Sequence, residues 1–406
     1  MHGESGPLGS RSAHPLSGLT ILQILPELGA GGAEQTTIDI AAALAEVGAR
    51  ALVASESGRL VSELQAKGGI WVPFPAKTKN PIAMAFNVRR LARLIGAEQV
   101  ALVHARSRAP AWVARGATKL TKTPFVTTFH GSYSGKATGF KHRYNSVMAQ
   151  GELVIANSHY TAGLIAQHYP APVSKTKIIY RGIDLRAFSP ASIEASRVQA
   201  VRRAWKVEPE ERIVLLAARL TSWKGHLVLI EAARLLLESG VRGVKFILAG
   251  DAQGRASYVR EIDREIATAQ LQNIVCRVGH WEDMPAAHLA SAVVVVPSTE
   301  PEAFGRISVE AQAMGTPVIV SALGAAAETV LAPPDVEASA RTGWRVPARD
   351  AQALAEAIRE VLNLGASARD MLALRSRSFV QRYFSVDRMC SETLAAYVAL
   401  LTQTHS

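Results

Sequence analysis

Short apolar runs alternate with amphipathic stretches along almost the whole chain. Near the N-terminus Leu19–Leu25 (LTILQIL) reads as a strand, followed by a glycine-rich turn and a helical period through Leu44. Strand-like runs recur at Ala51–Ala54, Ile70–Phe74, Val100–His104, Phe125–Thr128 and Leu153–Ala156. Helical spacing fills Pro81–Ile95, Pro110–Leu120 and Tyr160–His168 between them. This alternation predicts a mostly parallel sheet with helices on both faces. It restarts at Ile213, with strands expected at Ile213–Ala218, Lys245–Ala249, Ile274–Arg277, Val293–Val296 and Pro317–Val320. Helices are expected at Gly225–Glu238, Ala256–Ala269, Arg306–Ala313 and Ala351–Leu362.

The restart predicts an α/β protein of two doubly wound, Rossmann-like domains in tandem, residues 19–189 and 190–385. The boundary falls near Ser189–Pro190, ahead of a charged helix Ile193–Trp205, and helical segments Ala368–Arg382 and Val386–Leu401 finish the chain. A length of 406 residues suits two domains, and 48% apolar residues suffice for their cores. Residues 1–18, rich in Gly, Ser and Pro, read as a disordered tail without the apolar centre of a signal peptide. The longest apolar run, Ala292–Pro297, falls far short of the roughly 20 residues that span a bilayer. Two cysteines, Cys276 and Cys390, offer neither a disulfide framework nor metal-ligand spacing. Together these predict a cytoplasmic protein, soluble or peripheral on the inner face of the cytoplasmic membrane.

Charge sharpens the picture. The formal net charge is +11, and thirteen Lys and Arg residues lie between Lys77 and Arg143, where Glu98 is the only acid. A solvated basic face is one reading; a surface for acidic lipid or an anionic acceptor is the other, each cation contributing about 1 kcal/mol near such a membrane. Nucleic acid is not expected, because basic and aromatic residues are not interleaved and no binding motif is present.

In open α/β sheets ligands bind beyond the carboxyl ends of strands, so motifs that follow strands carry the chemistry. Ala218–Gly225 (ARLTSWKG) follows one strand and opens a helix. Its Arg219 and Lys224 flank a turn and suit a diphosphate that gains charge as it leaves. At 4 Å and an effective dielectric of 20, each such contact is of order 4 kcal/mol before desolvation. Glu302–Glu310 (EAFGRISVE) follows another strand. Amides from Phe304, Gly305, Arg306 and Ile307 would open a helix and attract an anion, while Glu302 and Glu310 could hold hydroxyls of the transferred sugar and the ribose.

Gly29–Glu34 (GAGGAE) follows the first strand, and Gly31 and Gly32 permit close approach to a phosphate or sugar. The spacing is not GxGxxG and no acid ends the second strand, which argues against a dinucleotide site. Thr127–Gly131 (TTFHG) places His130 at a strand's end, able to orient a sugar or the acceptor.

Taken together, these residues resemble the retaining family 4 glycosyltransferases of the GT-B fold, two Rossmann-like domains facing each other across a cleft. EAFGRISVE is similar to that family's paired-glutamate motif, ARLTSWKG to its diphosphate clamp, GAGGAE to its N-domain loop and TFHG to its sugar-facing histidine. Ala156–Ser158, Tyr180–Asp184 and Thr342–Trp344 resemble further landmarks, whereas Leu323–Val330 (LGAAAETV) carries alanines where relatives often have a second glycine. The resemblance runs from Leu19 onward, and the stretch Val103–Trp112 resembles transferases that build lipopolysaccharide or related envelope glycans.

The resemblance implies a nucleotide-sugar donor of GDP-mannose or UDP-hexose type and a lipid-linked or anionic glycan acceptor, and the basic N-terminal domain points to an acidic membrane surface as the place where it is met. The resemblance implies front-face transfer with retention, no covalent nucleophile, no cofactor and no metal. No DxD follows a strand, and Arg219, Lys224 and the helix start would neutralise the leaving group. It also implies that Val386–Ser406 packs back on the N-terminal domain. A nucleotide-sugar epimerase and a non-catalytic partner subunit of the same fold remain alternatives; a phosphorylase would need a pyridoxal phosphate lysine, which no position supplies.

Overall fold

A computed structural model of the protein describes residues 13–29, 31–131, 139–169 and 173–404. Most of the expected tail, Ala30 of the glycine-rich loop and Lys136 of the basic stretch lie outside these residues. The N-terminal half contains strands β1 (Thr20–Glu27), β2 (Arg50–Glu56), β3 (Ile70–Pro73), β4 (Val100–Ala105), β5 (Phe125–Phe129), β6 (Leu153–Ala156) and β7 (Thr176–Ile178). Its helices are α1 (Gly32–Glu46), α2 (Val61–Ala66), α3 (Pro81–Ala97), α4 (Arg108–Thr121), α5 (Phe140–Asn145) and α6 (His159–His168). After α7 (Ala195–Ala204) the second half contains β8 (Arg212–Ala217), β9 (Val244–Ala249), β10 (Val275–Gly279), β11 (Val293–Val296), β12 (Val318–Ser321) and β13 (Trp344–Val346). Between and after these strands lie α8 (His226–Glu238), α9 (Ala256–Thr268), α10 (Met284–Ala290), α11 (Arg306–Ala313), α12 (Ala326–Thr329), α13 (Ala351–Leu362), α14 (Ala366–Tyr383) and α15 (Val386–Thr404).

Both sheets are parallel and doubly wound. The first runs β3-β2-β1-β4-β5-β6-β7 and the second β10-β9-β8-β11-β12-β13. Strand order therefore reverses between β1 and β4 in one sheet and between β8 and β11 in the other. Loops diverge at such switch points and leave a crevice.

Side chains along β1 divide between two cores. Leu22 and Ile24 pack on one side of the sheet with Leu91, Ile95 and α4, while Ile21 and Leu25 pack on the other with α1 and α15. The strand is apolar throughout because both of its faces are covered. Helix α15 thus closes the N-terminal domain from the far end of the chain. Its buried Tyr397 hydroxyl lies 2.6 Å from His104 Nδ1, and His104 Nε2 lies 2.6 Å from Thr128 Oγ1. The two chain crossings between domains pair with each other: Ile183 N donates to Phe384 O at 2.9 Å and Val386 N to Ile183 O at 3.1 Å.

One expectation needs correction. The tail does not extend to residue 18: Leu16 is 1% exposed in the N-terminal core, and Gly18 N donates to Gly48 O at 2.9 Å. An isolated leucine among glycines and serines shows no period, so the sequence gives no sign of its burial. The edge strands β7 and β13 and the short helices α2, α5, α10 and α12 also escaped the pattern, because three to seven residues define no periodicity. Among the described residues no helix is long and apolar enough to cross a membrane.

The His104 contact sets a testable cost. Tyr397→Phe leaves a buried imidazole nitrogen without its hydroxyl partner and should destabilise the protein by about 1–3 kcal/mol. Tyr397→Ala should cost about 3–5 kcal/mol by emptying the core beside β4. Urea unfolding of the two variants would show equal, small losses if α15 were only loosely docked.

Candidate active site

The motifs on β8 and β11 meet because these strands are neighbours at the switch point. The loop after β8 turns through Ser222–Lys224, and Thr299 N, on the loop after β11, donates to Trp223 O at 2.7 Å. Gly225 has φ +77° and its Cα lies against the Pro297 carbonyl, where a Cβ would have no space. Lys224 Nζ reaches Glu302 Oε1 at 2.7 Å and sits 4.2 Å from the Trp223 ring centroid. Ser298 Oγ donates to the same Glu302 oxygen at 2.5 Å. The Lys224 and Glu302 side chains are only 14% and 18% exposed, so their pairing is largely shielded from water. Arg219 is exposed and has no side-chain partner among the described residues.

Glu302 is fixed at its backbone as well as its carboxylate. It forms an isolated parallel bridge with Gly324, and Ala325 N donates to Glu302 O at 3.0 Å. Gly324, at φ +63°, packs so closely on Glu302 that a side chain would overlap its backbone. Phe304 is buried among Ile183, Val309, Val380 and Phe384. Gly305 caps α11 in the left-handed region at φ +83° without a side-chain cap. The first amides of α11, Arg306 and Ile307 included, have no partner within the helix. Inside α11, Arg306 Nε donates to Glu310 Oε1 at 2.6 Å, and Glu310 Oε2 lies 3.6 Å from His288 Nε2. Burial pushes the Glu310 carboxyl upward, but Arg306 and His288 outweigh it and hold Glu310 below the usual carboxylate range. Each acid of the pair therefore faces a base, and Glu310, 4% exposed, is far more enclosed than Glu302.

The N-terminal domain brings its own cations to the same place. Gly32 opens α1 with Arg181 and Arg306 directly over it; a Cβ there would lie 3.1 Å and 3.5 Å from their Nη1 atoms. Arg181 Nη2 donates to His130 Nδ1 at 2.8 Å. A guanidinium only donates, so His130 carries its hydrogen on Nε2, a buried atom with no hydrogen-bond partner among the described residues. Burial, then Arg181, Arg106 and His104, hold the His130 imidazole well below the ordinary histidine range. It borders a small cavity shared with Thr36, His104, Arg106, Asn157 and Arg181. Arg106, 3% exposed, donates through Nε and Nη2 to Gln23 Oε1 at 3.0 and 2.8 Å.

A clasp joins the domains beside Glu302. Ser158 Oγ caps α6 by accepting from Thr161 N at 3.0 Å, and donates across the interface to Ala303 O at 2.7 Å. Glu328 accepts from His159 N and Tyr160 N at 2.6 and 2.7 Å, and from Tyr180 Oη at 3.0 Å. A carboxylate from one domain thus neutralises the helix start of the other.

The structure gathers Lys224, Glu302, Phe304, Gly305, Arg306, Ile307 and Glu310 at one end of the second sheet, with Gly32 meeting Arg306 from the first domain. Gly31 is the N-cap of α1, in extended conformation beneath the Glu34 carboxylate. Arg181, Ser158 and Glu328 carry no assigned role in the sequence reading. Arg181 and Ser158 lie in segments noted only as family landmarks, and Glu328 in a segment noted for its alanines.

Two parallel α/β domains thus bring their switch-point loops together on basic groups. Residues 30–187 match the family described as "Glycosyltransferase Family 4", and residues 198–377 match "Glycosyl transferases group 1". A glycosyltransferase structure from Rickettsia africae is 33% identical, covers 94% of this chain and 98% of its own, and superposes with a TM-score of 0.85. Anabaena HepE, solved in complex with UDP and glucose, is 26% identical over 93% of this chain and all of its own (100%), with a TM-score of 0.80. A D-inositol 3-phosphate glycosyltransferase of Segniliparus rotundus is 30% identical over 183 residues, 44% of this chain but only 38% of that protein. The chain belongs to the family 4 glycosyltransferases of GT-B fold.

Two outcomes follow from this geometry. Glu328→Ala removes the acceptor for two helix amides and should cost about 0.5–2 kcal/mol in urea unfolding, with Glu328→Gln intermediate; an unchanged midpoint would show that the clasp bears no load. His104, His130 and His226 are all held neutral by burial, His226 pushed down to about 4. The unfolded chain binds a proton on each near pH 6.5 while the folded chain does not. Stability is therefore full above that pH and should fall below it by about 1.4 kcal/mol per pH unit for each such histidine. Urea unfolding at pH of about 7.5 and about 5 measures the slope, and a flat profile would contradict neutral, buried imidazoles.

Proposed function

We propose that the enzyme transfers a sugar from a nucleoside-diphosphate sugar to a hydroxyl of a lipid-linked or anionic glycan acceptor, with retention of configuration and without a metal. The observation that carries this reading is Lys224 held on Glu302 beside the uncapped start of α11. The diphosphate docks on the α11 amides and takes over Lys224, with Arg219 closing from the exposed side. This exchange frees Glu302 for a hydroxyl of the transferred sugar. Arg306, between Glu310 and Gly32, supplies a further cation at the domain junction. As the bond from the anomeric carbon to the phosphate oxygen breaks, the acceptor oxygen bonds to that carbon from the same face, and its proton passes to the departing phosphate. Fixed cations and amides stabilise the growing charge without reorganisation. His130 Nε2–H donates to a hydroxyl of the transferred sugar or the acceptor.

The UDP-glucose complex of HepE supports a UDP-hexose donor, with GDP-mannose the other candidate. The basic N-terminal domain supports an acidic acceptor presented at a membrane, in envelope-glycan synthesis of the lipopolysaccharide type. The matches to D-inositol 3-phosphate glycosyltransferases favour a second reading, a small soluble anionic acceptor.

A thermal-shift panel of nucleotide sugars identifies the donor, since ligand at 100 times its Kd stabilises by about 2.7 kcal/mol. Transfer assayed with that donor should persist in EDTA. Lys224→Ala should lower kcat by about 10²–10³-fold while leaving the fold unchanged. Near-normal turnover in that variant would remove the clamp from the mechanism.

A further inference from the structure

We propose that the outward face of α3 seats the N-terminal domain on an anionic lipid bilayer, with Ile82 and Phe86 entering the acyl boundary and Arg89 and Arg93 lying on the headgroups. The proposal deepens the membrane-linked acceptor reading and rests on it.

The residues follow from the helix's periodicity. The inward stripe of α3 contains Asn87, Leu91 and Ile95, all buried, and Val88 packs against Gly116 of α4. The opposite stripe runs Ile82, Ala85, Phe86, Arg89, Arg93, at helical spacing and exposed throughout. Ile82 is 70% exposed and Phe86 65%. The outer stripe of a surface helix is ordinarily polar; here its first half is apolar and its second half basic. The apolar half is rigid, since Asn80 Oδ1 accepts from Ile82 N at 3.0 Å and Ala83 N at 3.2 Å, and Pro81 fixes the first turn.

Two further observations select a bilayer as the occupant. The first is charge: Lys79 and Arg90, beside and on α3, are exposed, as are Lys141 and Arg143 on α5, whereas Lys77 is paired with Glu27 at 2.6 Å. Glu98, the one acid from residue 77 to 143, is engaged by Arg50 at 2.8 Å. Apolar insertion and a basic surface are the two signals that together anchor a peripheral protein to anionic lipid. The second is position. In a parallel sheet the helix after β3 begins at the carboxyl edge of the strands, the edge from which the Gly32 and His130 loops open. Phe140, 91% exposed at the start of α5, follows β5 from that same edge and is flanked by Lys141. Seating α3 on lipid therefore brings the mouth of the acceptor domain to the headgroups.

Co-sedimentation of the full chain with vesicles tests this. The wild type should bind phosphatidylcholine vesicles containing about a third phosphatidylglycerol, weakly bind pure phosphatidylcholine, and lose affinity as salt rises. Ile82→Asp with Phe86→Asp should weaken binding to anionic vesicles at least about tenfold, with the donor-induced thermal shift unaltered, and Ile82→Leu with Phe86→Leu should retain it. Arg89→Glu with Arg93→Glu should flatten the salt dependence. If the wild type binds anionic vesicles and the aspartate pair binds equally well, α3 is not the seat, although the membrane-linked acceptor survives. If the wild type binds no vesicle, the proposal and that acceptor reading both fall, while sugar-nucleotide binding is unaffected.

Discussion

The carbonyl of Ala303 accepts its hydrogen bond from Ser158, a residue of the opposite domain, and the geometry of the site is arranged about that contact. Ala303 separates Glu302 from Phe304. The backbone between the carboxylate that holds Lys224 and the ring that leads into α11 is therefore tied to a hydroxyl of the first domain. Glu328 reinforces the arrangement by closing the amides of α6 from the other side. Ser158 is fully buried, and in so dry a setting a single hydrogen bond has disproportionate influence on orientation.

Electrostatics then follows from topology. The strand order reverses once in each sheet, and the loops that part there bring Lys224 to Glu302 in one domain and Gly32 beneath Arg181 in the other. Acids and bases within the second domain largely satisfy one another. In the first, Arg106 and Arg181 are held by neutral partners, Gln23 and His130. The paired Lys224 and Glu302 of the second domain thus stand across from the buried Arg106 of the first, which is held by the neutral Gln23.

Most of the fold was legible because its information is local and repeated. The eleven strand runs named from the sequence all became strands, since buried parallel strands read as unbroken apolar runs. β7 and β13 did not announce themselves, because three-residue edge strands are defined by their neighbours. The same distinction holds at the site. Glu302, Gly305 and Glu310 lie on one short loop and helix with a recognisable spacing, whereas Arg181 reaches His130 across 51 residues and Glu328 reaches Tyr160 across 168. The first contact is made by strands distant in sequence coming together in one sheet and the second by the docking of two domains, and neither leaves a periodic trace. Leu16 is the local counterpart: its burial depends on a surface built by α1 and α15.

The return of α15 to the first domain bears on how the molecule is made. The side of the first sheet that holds Ile21, Leu25 and His104 is covered in part by Met389, Leu394 and Tyr397. On the ribosome, the half that emerges earliest must wait with that surface uncovered until the last helix has been translated. The later half carries its own helices on both faces and closes as it appears. Order of synthesis and order of completion are thus reversed, and in a nascent chain the N-terminal half keeps an apolar surface uncovered the longer.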